Sequence, residues 1–73
     1  MKLEKTEQAI EEFIERLGLI SQAEGMPRIS GRILGVLVLF DAPFSFSQLS
    51  EKLQVSRASV STNTRLLDTL AIL

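Results

Sequence analysis

Residues 45–60 constrain the fold most, because they predict a short helix, a three-residue break and the start of a second helix. Ser45 followed three positions later by Gln48 forms a capping box, a pattern that marks a helix N-terminus. Leu49 and Leu53, four positions apart, give this helix one apolar side. The stretch is therefore predicted to be a helix-turn-helix.

Residues 54–56 interrupt the helical period. Val55 is apolar enough to fill the corner between two helices, and Ser56 is suited to cap the next helix, which should begin at Arg57. Gln54 occupies a turn position where a left-handed residue, usually Gly, is common, so we expect some backbone strain there.

The helix after the break has two different faces when its residues are placed at 100° steps. One arc of about 140° carries small polar residues and two arginines, namely Arg57, Ala58, Ser61, Thr62, Arg65, Asp68 and Thr69. The opposite arc is mainly apolar, with Val60, Leu66, Leu67, Leu70 and Ala71. Short side chains let a helix approach DNA closely, and arginine pairs with guanine edges or phosphates. The pattern favours a DNA-reading helix, with an ordinary solvated face as the alternative.

Two further features of this helix bear on its orientation. Asn63 falls within the apolar arc, so its amide is predicted to be buried and to bond backbone groups of a neighbouring helix or loop. Base readout by Asn63 is the alternative, and it would require the helix to roll by about 100°. The first turn lacks an acidic residue, which leaves the positive helix end open to a phosphate.

Residues 25–70 resemble the GbsR-like branch of MarR-type winged-helix transcription regulators. Residues 25–35, GMPRISGRILG, resemble the run that opens the second helix of this branch, and residues 55–67, VSRASVSTNTRLL, resemble its recognition helix. The resemblance implies a homodimeric bacterial or archaeal regulator that binds double-stranded DNA. One recognition helix per subunit, about Arg57 to Leu70, would enter successive major grooves. It also implies the DNA-contacting residues Ser56, Arg57, Ser61, Thr62 and Arg65.

The same family continues with a two-stranded wing and long C-terminal helices. Residues 71–73 fall where the first wing strand would start, so we expect a chain truncated before the wing. The expected fold is an all-α, compact three- to four-helix bundle containing a helix-turn-helix, a winged-helix core without its wing. Residues 1–73 are predicted to form a single domain, with an amphipathic N-terminal helix over 1–20 and the helix-turn-helix core over 25–73. Whether a small-molecule effector binds is left open.

The N-terminal helix carries an apolar arc opposite its glutamates. The arc contains Leu3, Thr6, Ala9, Ile10, Phe13, Ile14 and Leu17. It could pack within the monomer or across a dimer, and the 45% hydrophobic content of so short a chain favours an interface. The predicted homodimer interface consists of Leu3, Ile10, Phe13, Ile14 and Leu17.

A further helix is predicted between Pro27 and the sequence Asp41-Ala42-Pro43, although residues 36–40 could equally form a buried strand. Gly31 and Gly35, four positions apart, favour a helix that another helix approaches closely; loop flexibility is the alternative. Near its start, Arg28 and Arg32 share a face and are candidate phosphate contacts, or simply solubilising charges.

Composition narrows the function further. The net charge is −1, but residues 1–24 hold three basic and six acidic residues, whereas residues 25–73 hold five and three, a modest basic footprint for DNA. The chain has no Cys, His, Tyr or Trp and no phosphate-binding loop, so neither an enzyme, a metal site nor a cofactor is expected.

Its longest apolar run is too short to cross a membrane, and a soluble cytoplasmic protein is expected. The alternative function is a helical protein–protein interaction and dimerisation module that does not bind DNA.

Overall fold

Four α-helices form the fold in the computed structural model, which describes residues 2–40 and 43–70, with side chains from residue 6 onward. They are α1 Lys2–Ala23, α2 Arg28–Leu39, α3 Phe46–Leu53 and α4 Arg57–Thr69. All regular elements in these two ranges are helices, which confirms the predicted all-α bundle with a helix-turn-helix. The wing strand predicted to begin at residues 71–73 lies outside the described residues.

The N-terminal helix is longer than predicted and ends in a left-handed turn. Gly25 has a φ of 84°. Its N–H donates to the Gln22 carbonyl at 3.1 Å, and the Met26 N–H donates to the Ser21 carbonyl at 2.9 Å. These two bonds form a Schellman motif, which satisfies carbonyls that a helix end leaves unpaired. Because Gly25 lacks a Cβ, it reverses the chain into α2 at little conformational cost.

The segment over residues 36–40 belongs to a helix, so the alternative strand assignment is wrong. Helix α2 runs to Leu39, and the Phe40 N–H still donates to the Val36 carbonyl at 3.0 Å. Pro27 precedes the helix as its N-cap, and the Ser30 hydroxyl donates to the Pro27 carbonyl at 2.6 Å. The predicted stop signal at Asp41-Ala42 lies outside the described residues.

Helices α1 and α2 approach each other closely at the two predicted glycines. A Cβ at Gly31 would lie 2.2 Å from the Leu17 carbonyl oxygen, and one at Gly35 would lie 3.2 Å from the Ile14 Cα. Backbone atoms cannot rotate away as side chains can, so residues without a Cβ are what this contact requires. The prediction of a close helix contact at Gly31 and Gly35 is confirmed.

The core lies between α2, α3 and α4, with α1 covering one side of α2. Its buried apolar residues come from all four helices: Ile14, Ile33, Val36, Leu49, Leu53, Val60 and Leu67. Helix α2 packs along α1 and against α4, while α3 packs mainly against α4. The helix-turn-helix is therefore held on the rest of the molecule chiefly through α2.

Candidate nucleic-acid interface

The first helix of the helix-turn-helix begins with the predicted capping box. The Ser45 Oγ accepts the Gln48 N–H at 3.1 Å, and the Gln48 Oε1 accepts the Ser45 N–H at 2.8 Å. Two N–H groups at the helix start are thereby satisfied within one turn. Leu49 and Leu53 are both buried, as their spacing predicted.

The turn after α3 is left-handed at a residue other than glycine. Gln54 has φ 56° and ψ 48°, which confirms the conformation expected at this position. Its side-chain Nε2 donates to the Glu51 carbonyl at 2.6 Å. The Val55 N–H donates to the Ser50 carbonyl at 3.1 Å, and the Ser50 hydroxyl donates back to the Val55 carbonyl.

Val55 packs against the core, as predicted for the corner between the helices. The hydroxyl bond from Ser50 to the Val55 carbonyl was not predictable from the sequence, because a serine on a short helix is equally compatible with a solvated surface. The bond depends on the left-handed turn at Gln54, which brings the Val55 carbonyl back to the Ser50 hydroxyl.

Ser56 caps the second helix, as predicted. Its Oγ accepts the Ser59 N–H at 3.1 Å, and its hydroxyl donates to the Ser59 Oγ at 3.0 Å. Helix α4 has no acidic residue in its first turn. No carboxylate of its own first turn therefore neutralises the positive end of its dipole.

The outward face of α4 carries the side chains that the helical projection placed there. Arg57, Thr62 and Arg65 are exposed, and Ser61 is half-buried. The two arginines are eight positions apart, about 12 Å along a helix axis. The structure brings these groups onto one accessible surface; contact with DNA itself stays a prediction.

The inward face of α4 differs from the prediction at two positions. Val60 and Leu67 are buried as expected, but Leu70 is 49% exposed because the helix ends beside it. Asn63 is buried, yet its Nδ2 donates to the Ser59 carbonyl of its own helix at 2.7 Å. The predicted bond to a neighbouring helix or loop is wrong, because the carbonyl one turn earlier lies within reach of this short side chain.

The two arginines predicted to reach phosphates are both paired with Glu15 of α1. The Arg28 Nη2 contacts the Glu15 Oε2, and the Arg32 Nε lies 3.0 Å from the Glu15 Oε1. The Arg32 Nη2 also donates to the carbonyl of Leu53, the last residue of α3, at 3.2 Å. Sequence reasoning missed Glu15, since its role depends on how α1 and α2 align in space.

The apolar arc of α1 packs partly inside the monomer. Ile14 is 7% exposed and part of the core, and Ile10 packs against the core. Phe13 and Leu17 are half-buried, while the Leu3 side chain lies outside the described residues. Larger exposed apolar surface lies elsewhere, at Leu19, Ile20, Val38, Leu39, Phe46 and Leu70.

Two kinds of feature are absent from the part of the chain that the structure describes. Over residues 2–40 and 43–70, no three His, Cys, Asp or Glu residues are grouped so that they could hold a metal ion. In the same ranges, no helix is both long and apolar enough to cross a bilayer.

The geometry of α3, the turn and α4 is that of a helix-turn-helix, and one comparison agrees with it. The chain is 38% identical over 55 residues to a protein of Bacillus subtilis (strain 168) named "Putative HTH-type transcriptional regulator YvaV". The aligned stretch covers 75% of this chain and 31% of that protein, so the chain spans about a third of its relative's length. This similarity supports a relationship to helix-turn-helix regulators. No family model matches the chain, and no solved structure matches it significantly.

Proposed function

We propose that the chain is a sequence-specific DNA-binding transcription regulator. The observation that carries this proposal is the exposed face of α4, with Arg57, Ser61, Thr62 and Arg65 following a capped helix and a tight turn. The relative's name, which describes a helix-turn-helix regulator, supports the same function.

In this proposal the segment from Arg57 to Leu70 lies in a major groove of double-stranded DNA. Ser56 and the amides at the start of α4 bind a backbone phosphate, which fixes the helix in register. Arg57 and Arg65 then reach base edges or phosphates at the two ends of the contact, while Ser61 and Thr62 allow close approach.

The charge distribution predicts weak binding. Of the five basic residues over 25–73, Arg28 and Arg32 are paired with Glu15, so they contribute less to phosphate neutralisation than an unpaired arginine would. Few phosphate contacts mean low affinity at physiological salt and a shallow salt dependence. Specificity then depends on the few side chains at base edges.

We further propose that the chain is a GbsR-like member of the MarR-type regulators and acts as a homodimer in the cytoplasm on paired half-sites. The relative is about three times longer than the aligned stretch, which leaves room for a wing and dimerisation helices in a protein of that size. Of the predicted interface residues, Ile10 and Phe13 retain partly exposed side chains that a second chain could cover. Residues 1–73 would act together as one domain.

The test is a selection of bound duplexes from a random pool, followed by binding measurements with Arg57→Ala. A guanine contact predicts a loss of about 1 to 3 kcal/mol confined to the selected sequence, whereas a phosphate contact predicts a loss for all sequences and a salt slope lower by about one. Arg16→Ala, which removes an exposed arginine from α1, is the matched control and should bind as the parent does.

A second candidate function is a helical protein-interaction module, favoured by the exposed apolar residues Leu19, Ile20 and Val38. In that case no sequence would be enriched by the selection. Arg57→Ala and Arg16→Ala would then behave alike, since neither charge would face a ligand.

A further inference from the structure

Arg32 differs from the other arginines in its degree of burial and in the number of helices it contacts. Its side chain is 24% exposed, compared with 47% for Arg28, one turn earlier on the same helix. From α2, the guanidinium reaches Glu15 on α1 and the Leu53 carbonyl at the end of α3. One side chain thus connects three helices.

This connection spans a gap in the packing. Within the described part of the chain, no Cα of α1 lies within 8 Å of a Cα of α3. A groove of about 590 Å³ separates the two helices, and Glu15, Arg32 and Leu53 are among the residues that line it. Gly18 makes space for the arginine stem, because a Cβ there would lie 2.9 Å from the Arg32 Cγ.

The contact point on α3 is the place where the chain turns toward the DNA-reading helix. The carbonyls at a helix C-terminus lack partners within the helix and carry the negative end of its dipole, so a guanidinium bound there is favourable. Leu53 is followed directly by Gln54, which has a left-handed backbone. A residue with a side chain adopts this conformation only when its surroundings enforce it. Helix α3 has only 8 residues and depends on such contacts for its placement.

We propose that Arg32 is a positioning residue that fixes the α3–α4 turn, and with it the angle of α4, while Glu15 holds the guanidinium in place. The effect on DNA binding rests on the function proposed above, but the effect on the turn does not. If the correct turn geometry is populated in about a tenth of the molecules, the apparent affinity for DNA falls about tenfold.

Arg32→Lys tests the proposal because it keeps the charge but removes the planar fork, and an ammonium cannot hold Glu15 and the Leu53 carbonyl in the same geometry. Amide hydrogen exchange of the full chain is the first measurement. We expect exchange at Gln54 and Val55, whose N–H groups bond the Ser50 carbonyl, to accelerate about tenfold, the equivalent of one charge-assisted hydrogen bond. Amides in the middle of α2 should keep their rates.

Arg28→Lys is the matched control for exchange, since Arg28 shares the Glu15 partner and bonds α1 rather than the end of α3. It should leave the turn amides unchanged. Acceleration spread evenly over all four helices by Arg32→Lys would indicate general destabilisation and overturn a positioning role. Unchanged exchange at Gln54 and Val55 would overturn it as well.

Binding to the selected duplex is the second measurement. A positioning role predicts that Arg32→Lys weakens binding about tenfold while the salt slope stays the same, because no phosphate contact is lost. If Arg32 instead contacted a phosphate, Arg32→Lys would retain most of the affinity, and that result would contradict the proposal. Should the parent chain bind no duplex, the proposed function fails, and the exchange measurement still decides the role of Arg32.

Discussion

The chain reverses direction twice through a left-handed residue, once between α1 and α2 and once between α3 and α4. The two turns are stabilised by different contacts. After α1, Gly25 adopts a φ of 84° with no neighbouring atom within 4 Å of where a Cβ would lie. After α3, Gln54 adopts a φ of 56°. Both turns also share the same closing bond, from Met26 to Ser21 and from Val55 to Ser50.

The difference lies in what holds each pair together. Helices α1 and α2 are joined by close backbone packing at Gly31 and Gly35, and the ion pairs of Arg28 and Arg32 with Glu15 add to this contact. Helices α3 and α4 depend on the capping box, the partly buried Val55 and polar contacts such as the bond from Arg32 to the Leu53 carbonyl. The pair proposed to read DNA is therefore the one whose geometry depends more on side chains.

The largest expected effect comes from adding a methyl group between α1 and α2. Gly31→Ala would place a Cβ 2.2 Å from the Leu17 carbonyl oxygen, which forces the helices apart. We expect a loss of about 3 kcal/mol in unfolding free energy, the upper part of the range for overpacked cores, measured by urea denaturation. Gly35→Ala, with its nearest contact at 3.2 Å, should cost clearly less. Equal effects of the two substitutions would break the account of this helix contact.

Substitutions at the two left-handed residues should change the unfolding free energy by smaller amounts and in opposite directions. Gln54→Gly should stabilise the protein by about 0.5 to 1 kcal/mol, because glycine adopts a left-handed backbone without the steric cost of a Cβ. Gly25→Ala should destabilise it by about 1 kcal/mol for the converse reason. Thermal unfolding of the two variants beside the parent checks both. Destabilisation by Gln54→Gly would mean that the bond from its side chain to the Glu51 carbonyl outweighs the backbone strain.

Local patterns in the sequence were sufficient for α1, α3 and α4 and for the two faces of α4, whereas they left residues 36–40 of α2 open to a strand assignment. The capping box at Ser45 and the cap at Ser56 are each determined by residues within a few positions, so the sequence predicts them directly. The outward placement of Arg57 and Arg65 follows from helical periodicity alone.

Contacts that depend on how distant segments align were not predictable in this way. Periodicity identified the apolar arc of α1 but could not show that Ile14 is buried within the monomer rather than between chains. Spacing placed Arg28 and Arg32 on one face, yet their partner Glu15 comes from a helix whose register is set by Gly31 and Gly35. Burial of Asn63 alone does not distinguish an acceptor on a neighbouring helix from the Ser59 carbonyl one turn earlier on its own helix.

The central claim is that the outward face of α4 binds DNA, and amide chemical-shift mapping of the full chain with a selected duplex tests it most directly. We predict that the largest changes fall on Ser56, Arg57, Ser61, Thr62 and Arg65, with smaller changes at the end of α3. Changes centred on the exposed apolar residues Leu19 and Ile20 of α1, with α4 unaffected while the duplex is bound, would contradict the claim.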